Sequence, residues 1–93
     1  MQILVVKRIA TFIHNRKPVG VEVVINPQDI VYAEPSDVNY GQNFPQVCQV
    51  VLRNLNTCDL IIDFETLIEA LAGEKSCRII YDDDNHVVRA NYF

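Results

Sequence analysis

Long apolar runs are absent from this 93-residue sequence, and none, Ile3–Val6 included, exceeds four residues. A transmembrane helix needs about 20 apolar residues, so we predict no membrane span and no membrane partner. The first charges, Lys7 and Arg8, follow the apolar stretch, which reverses the order found in a secretory signal. We therefore expect a cytoplasmic protein. An apolar content of 49% with a net charge of −4 also excludes intrinsic disorder.

Glycine is scarce, with three residues, so turns must rely on Asn, Asp and Pro. Helix-favouring aliphatic residues are also few, since 6 Leu and 5 Ala stand against 13 Val and 10 Ile. Side chains branched at Cβ suit a pleated sheet better than a helix. The composition predicts a mainly β domain, and a chain of this length has room for one core, over 1–93.

Two segments around Asn54–Asn56 predict a β-hairpin, Val47–Arg53 and Thr57–Ile62. A three-residue loop with Asn56 in the left-handed conformation would place Val50 opposite Leu60. This register gathers six side chains on one face: Cys48, Val50, Leu52, Cys58, Leu60 and Ile62. A shift by one residue would mix the faces, so the apolar pattern specifies the register.

One helix is predicted after this hairpin. Asp63 is a suitable N-cap and Gly73 a suitable C-terminal cap. The apolar residues between them recur at i, i+3, i+4 and i+7, which predicts a single stripe facing the core. These residues are Phe64, Leu67, Ile68 and Leu71.

The remaining segments predict strands, and strands at both ends of the sequence predict open sheet edges. The last two, Ser76–Tyr81 and His86–Phe93, form a hairpin about residues 82–85. A small domain with open edges is stabilised when another copy covers them. We therefore predict a homo-oligomer joined by strand pairing through Val87, Val88, Tyr92 and Phe93.

Recognisable catalytic and metal-binding motifs are absent, so we predict neither an enzyme, a cofactor nor a metal site. The odd set of cysteines, Cys48, Cys58 and Cys77, contains no CxxC pair and predicts reduced residues in the core. The segment Asp82–His86 offers oxygen ligands at alternate positions but lacks the EF-hand pattern. It favours an acidic hairpin turn over a cation site.

Charge is distributed unevenly, with +4 over residues 1–20 and −8 over residues 21–93. The four early cations are Lys7, Arg8, Arg16 and Lys17. With Phe12 and His14 they could follow a phosphate backbone, or they could meet an acidic surface of another subunit, or they could be a solvated turn. The sequence leaves these three interpretations open.

Two segments resemble the Sm-like family of small barrels. Val88–Asn91 is similar to the Arg-Gly-Asn segment of the second Sm motif, and Leu60–Asp63 is similar to the first motif, in which a strand leads into an Asp. The resemblance implies subunits that pair strands into rings. It also implies that Arg89 contacts phosphate or base and that Asn91 contacts a base edge.

A second resemblance covers Val24–Glu34, the Val47–Ile62 hairpin and the helix beginning at Phe64. These segments are similar to the small flagellar FlbD-like family and to the strands of LytTR-type DNA-binding domains. The resemblance implies a regulatory or accessory β-module.

We predict a small, strongly bent antiparallel barrel of Sm-like or SH3-like type, with five to seven strands and one short helix. The leading function is a non-enzymatic interaction module that forms a homo-oligomeric ring, with single-stranded RNA as a candidate partner. Arg89 and Asn91 would contact the RNA, guided by Lys7, Arg8, Arg16 and Lys17. The net charge of −4 and pI near 4.9 weigh against nonspecific binding of polyanions. The alternative is an accessory or regulatory protein-binding domain without a nucleic-acid role.

Overall fold

The computed structural model describes residues 1–11 and 17–93, which form a strongly curled half-barrel sheet with one helix. The elements within these residues are β1 (Leu4–Thr11), β2 (Pro18–Ile25), β3 (Ile30–Pro35), β4 (Cys48–Leu52), β5 (Thr57–Leu60), α1 (Phe64–Ala72), β6 (Cys77–Tyr81) and β7 (Val87–Tyr92). The predicted class, a small bent mainly β fold with one helix, is confirmed.

Strand β1 lies in the middle of the sheet. Along one edge it pairs with β2, and along the other with β5 and then β6, which gives the order β3-β4-β5-β1-β6-β7. The predicted open edge at the first strand is therefore wrong. Among the described strands, β2, β3 and β7 each keep one unpaired edge. The β1–β6 pair is parallel, whereas the other pairs are antiparallel.

The β4–β5 hairpin has the predicted faces but a register shifted by two residues. Val50 lies opposite Cys58 rather than Leu60. The three-residue loop lies one position earlier than predicted, at residues 53–55, since Leu52 N–H donates to the Asn56 carbonyl at 2.8 Å and Leu55, not Asn56, has positive φ (70°). An even shift leaves every side chain on its face, so the apolar side still lines the core.

The inner face of the sheet packs against α1, which begins where predicted. The Asp63 carboxylate accepts hydrogen bonds from Thr66 N–H at 3.1 Å and Thr66 Oγ1 at 2.8 Å. Within the helix, Leu67 and Ala70 are buried, but Ile68 is 42% exposed. The core-facing stripe therefore runs through Leu67 and Ala70, and the prediction for Ile68 is wrong.

A second, smaller apolar cluster covers part of the outer face of the sheet. Ile9 of β1 and Ile61, which directly follows β5, pack there with Phe44 and Val47 from the connection between β3 and β4. The hydroxyl of Tyr40, in the same connection, donates a hydrogen bond to the Asp59 carboxylate. This connection covers the outer face beside β5, whereas Arg78 of β6 and both Arg89 and Asn91 of β7 stay exposed on that face.

Candidate interaction surface

Strand β7 has one edge that no other described strand covers. Exposed apolar side chains lie along it: Val88 is 57% exposed, Phe93 is 61% exposed, and Tyr92 is also exposed. Val87 differs, because it packs against the core cluster. Three of the four residues predicted for an oligomer edge are thus on the surface.

The backbone of β7 alternates between groups that face β6 and groups that face away. Phe93 N–H donates to the Ser76 carbonyl at 3.0 Å, so this pair is hydrogen-bonded. In an antiparallel ladder such pairs recur every second residue, which directs the Arg89 and Asn91 backbone groups toward β6. The N–H and C=O groups of Ala90 and Tyr92 therefore point away from β6, toward the open edge.

The orientation of Cys77 supports this assignment independently. Cys77 lies opposite Tyr92, and its N–H donates to the Ile3 carbonyl at 2.9 Å on the β1 side. Cys77 cannot also donate to β7, so Cys77–Tyr92 is a pair without mutual hydrogen bonds. The Tyr92 amide is consequently available to an additional strand.

Basic side chains share the outer face of β1, β6 and β7. Arg78 lies opposite Asn91, and Val5 pairs with Arg78, which places Lys7 on the same face by alternation. Arg89 lies on this face for the same reason. Arg78 Nη1 lies 3.7 Å from Glu22 Oε1, whereas no ion pair among the described residues involves Arg89.

Lys7 is held in place on this face by two contacts of its ammonium group. Its Nζ donates to Asn85 Oδ1 at 2.9 Å and lies 5.1 Å from the centroid of the Tyr81 ring. The Tyr81 hydroxyl accepts from Lys7 N–H at 3.0 Å and donates to the Ile61 carbonyl at 2.7 Å. Burial raises the pKa of the Tyr81 phenol above its ordinary value, so the hydroxyl remains neutral and able to donate.

The structure brings Lys7, Arg89 and Asn91 to one face but separates Arg8 from them. Arg8 lies on the opposite face, since side chains alternate along β1. Lys17 precedes β2, beside the segment Tyr40–Phe44.

Three residues named in the sequence analysis, Phe12, His14 and Arg16, lie outside the described residues. Sequence reasoning missed Arg78. The predicted pairing of the last two strands already places Arg78 on the face of Arg89, so the alternation rule alone would have found it.

The Asp82 carboxylate, in the acidic turn after β6, accepts hydrogen bonds from backbone groups of the same turn. Asp82 Oδ1 accepts from the N–H groups of His86 and Asp84, both at 2.9 Å, and Asp82 Oδ2 lies 3.5 Å from His86 Nδ1. The hydrogen bond from the His86 backbone is the main reason why the pKa of Asp82 is lowered. Asp82 thus acts as a turn-stabilising acceptor.

The three cysteines are free thiols. Cys48 and Cys77 are buried in the core cluster, and Cys58 packs against it. Burial raises the pKa of Cys48 to about 11, and its Sγ lies 3.2 Å from the Ile62 carbonyl. A thiol with a raised pKa is a weak nucleophile, so Cys48 serves packing.

Across residues 1–11 and 17–93 there is no helix with the length and apolar character needed to span a membrane. Comparison with family models, with curated proteins and with solved structures found no match to this chain. The assignment of a function consequently rests on the surface geometry described above.

Proposed function

We propose that this chain is a non-enzymatic interaction module that assembles with copies of itself by strand addition at β7. The observation that carries the proposal is the open β7 edge, at which Ala90 and Tyr92 direct unpaired backbone groups outward beside Val88 and Phe93. A row of unpaired N–H and C=O groups is a template for another strand, and apolar flanks add buried area when it pairs.

The other free edges carry more protection than β7. Strand β2 starts at Pro18, which has no N–H to donate. Strand β3 ends at Pro35 and has a register irregularity between Ile30 and Tyr32. Proline and bulges are devices that restrict pairing at an edge, and on β3 they leave only Tyr32–Glu34 in a regular register between them. Strand β7 has an irregularity only near its start and contains neither proline nor glycine, so its second half is the most accessible edge.

The experiment is light scattering coupled to size-exclusion chromatography at micromolar concentration, on the wild type and on Ala90→Pro. Proline removes the outward N–H, which β6 does not use, and we expect the oligomer to dissociate. The matched control is Ala90→Ser, which keeps the N–H and nearly the same volume and should remain oligomeric. A monomeric wild type would refute self-assembly and favour the accessory domain that binds a different protein.

A second candidate function, binding of single-stranded RNA, is favoured by the shared outer face of Lys7, Arg78, Arg89 and Asn91. Cations spaced along one open sheet face can each contact a phosphate and release counterions. We expect fluorescence anisotropy with a short U-rich RNA to show binding that weakens with salt and is reduced by Arg78→Ala and Arg89→Ala. Arg53→Ala, at the β4–β5 loop, is the control, and no binding at low salt would remove this candidate.

A further inference from the structure

We infer that the strand received by β7 is β3 of the next copy, so that subunits join head to tail; this inference rests on the proposed assembly at β7. The two strands are the opposite ends of the order β3-β4-β5-β1-β6-β7. Joining them would continue the same sheet from one subunit into the next. Both end strands carry exposed apolar side chains, Val31 and Tyr32 on β3 and Val88 and Tyr92 on β7.

The backbone of β3 offers a donor and an acceptor at the right position. Ser36 N–H donates to the Val47 carbonyl at 2.8 Å, so this pair is hydrogen-bonded. Hydrogen-bonded pairs recur every second residue along the β3–β4 ladder, so Glu34–Gln49 is the next such pair. The N–H and C=O of Ala33, one residue earlier, therefore point away from β4. Ala33 therefore occupies on β3 the position that Ala90 occupies on β7.

The faces of the two strands also match. Ala33 and Ala90 both pack against the core cluster, so their side chains lie on the inner face. Directly opposite residues of an antiparallel pair have side chains on the same face. Placing Ala90 opposite Ala33 of the partner subunit forms a hydrogen-bonded pair and keeps both inner faces on one side.

This register pairs opposite charges on the outer face. One step from the alanine pair, Arg89 lies opposite Glu34 of the partner subunit. Both side chains are exposed in the single chain, and the Glu34 carboxylate accepts a hydrogen bond from Tyr32 Oη at 3.1 Å. On the other side of the alanine pair, Asn91 lies opposite Tyr32 of the partner subunit. Opposite charges at such positions stabilise strand pairing.

The alternative acceptors fit less well. On β2, Glu22 lies opposite Lys7, whose C=O accepts from Ile61 N–H on the far side of β1. Lys7 and Glu22 therefore do not bond to each other, and the backbone groups of Glu22 face the open edge of β2. The side chain of Glu22 lies on the outer face, however, like that of Lys7. Antiparallel addition of β2 to β7 would therefore place the inner face of one copy beside the outer face of the next. Antiparallel pairing of two β7 strands about Ala90 would keep both inner faces on one side of the joined sheet. It would place Arg89 opposite Asn91 of the partner subunit, which carries no negative charge to attract the arginine.

A head-to-tail joint uses different surfaces on its two sides, so every subunit has one free β3 and one free β7 to offer. Repetition of such a joint closes into a ring when the rotation between subunits allows it, and otherwise forms an open chain. The β7–β7 alternative would stop at a dimer.

Charge exchange across the joint tests the inference. We expect Arg89→Glu and Glu34→Arg each to raise the dissociation constant of the oligomer by about tenfold or more, because each places like charges opposite one another. The double variant restores the attraction, so its dissociation constant should return to within about threefold of the wild-type value. A threefold change corresponds to less than about 1 kcal/mol. The charge-matched control is Glu65→Arg on α1, which lies on neither end strand and should assemble normally.

Sedimentation velocity, with circular dichroism as a check of folding, separates the outcomes. If Ala90→Pro dissociates the oligomer while neither charge variant does, assembly at β7 stands and β3 is not the acceptor. If both single variants weaken assembly and the double variant fails to recover although folded, the register is wrong. If the wild type is a monomer, the proposed function and this inference both fail.

Discussion

Removal of one hydroxyl, in Tyr81→Phe, should destabilise the fold by an amount that the structure defines. The hydroxyl bridges Lys7 N–H at 3.0 Å and the Ile61 carbonyl at 2.7 Å, at the point where β1 passes from β5 to β6. Phenylalanine keeps the ring in place but can neither accept from the first group nor donate to the second.

The expected loss follows from these two hydrogen bonds. Each contributes about 1 kcal/mol net, so the free energy of unfolding should fall by about 2 kcal/mol. For a domain of this size that corresponds to a decrease in melting temperature of roughly 8–16 °C. Ile61 is 1% exposed, which limits rescue of its carbonyl by water.

The assay is urea unfolding followed by circular dichroism, with Tyr32→Phe as the matched control. Tyr32 also donates its hydroxyl, to Glu34 Oε2, but on an exposed surface. We expect the control to unfold like the wild type. A Tyr81→Phe variant that unfolds within error of wild type would refute the bridging role.

Three further predictions concern pH, capping and packing. The hydrogen bond to Asp59 raises the pKa of Tyr40 to about 12, so the folded state favours the protonated phenol. The contribution of this group to stability should therefore be retained below pH 10 and be lost between pH 10 and 12. Urea unfolding at each pH measures this loss, which should be smaller in Tyr40→Phe. Replacing the N-cap in Asp63→Ala should cost about 1 kcal/mol in the same assay, and an unchanged value would contradict the capping geometry. Leu67→Ala should cost about 3 kcal/mol and Ile68→Ala much less, since only Leu67 is fully buried; equal losses would contradict the observed helix orientation.

Local pattern was enough to predict the elements of this fold. The alternation in β4 and β5 identified the core face correctly, although the position of the loop and hence the register were wrong. An apolar pattern of period two cannot distinguish registers that differ by two residues. The same limit applies to α1, where i, i+3, i+4 spacing identified a stripe but not whether its centre passes through Ile68 or Ala70.

The arrangement of strands could not be predicted in the same way. The parallel contact of Leu4 with Cys77 joins segments with no connecting turn between them, so no local signal marks it. The position of β1 in the sheet depends on that contact. The candidate surface was predicted only in part: Arg89, Asn91 and Lys7 were identified, but which faces they occupy required the pairing of β1 with β6.

The central position of β1 also has a consequence for how the molecule forms. Ile3 N–H donates to Ser76 Oγ, 73 positions away, and the same region supplies the β1–β6 ladder. During synthesis β1 can pair early with β2, but its second edge must wait for β5 and then β6 before it is covered. Closing so long a loop carries an entropic cost that later contacts must repay, so we expect slow, late completion of the sheet. Until then the nascent chain exposes an apolar strand edge, which makes this interval its most aggregation-prone stage.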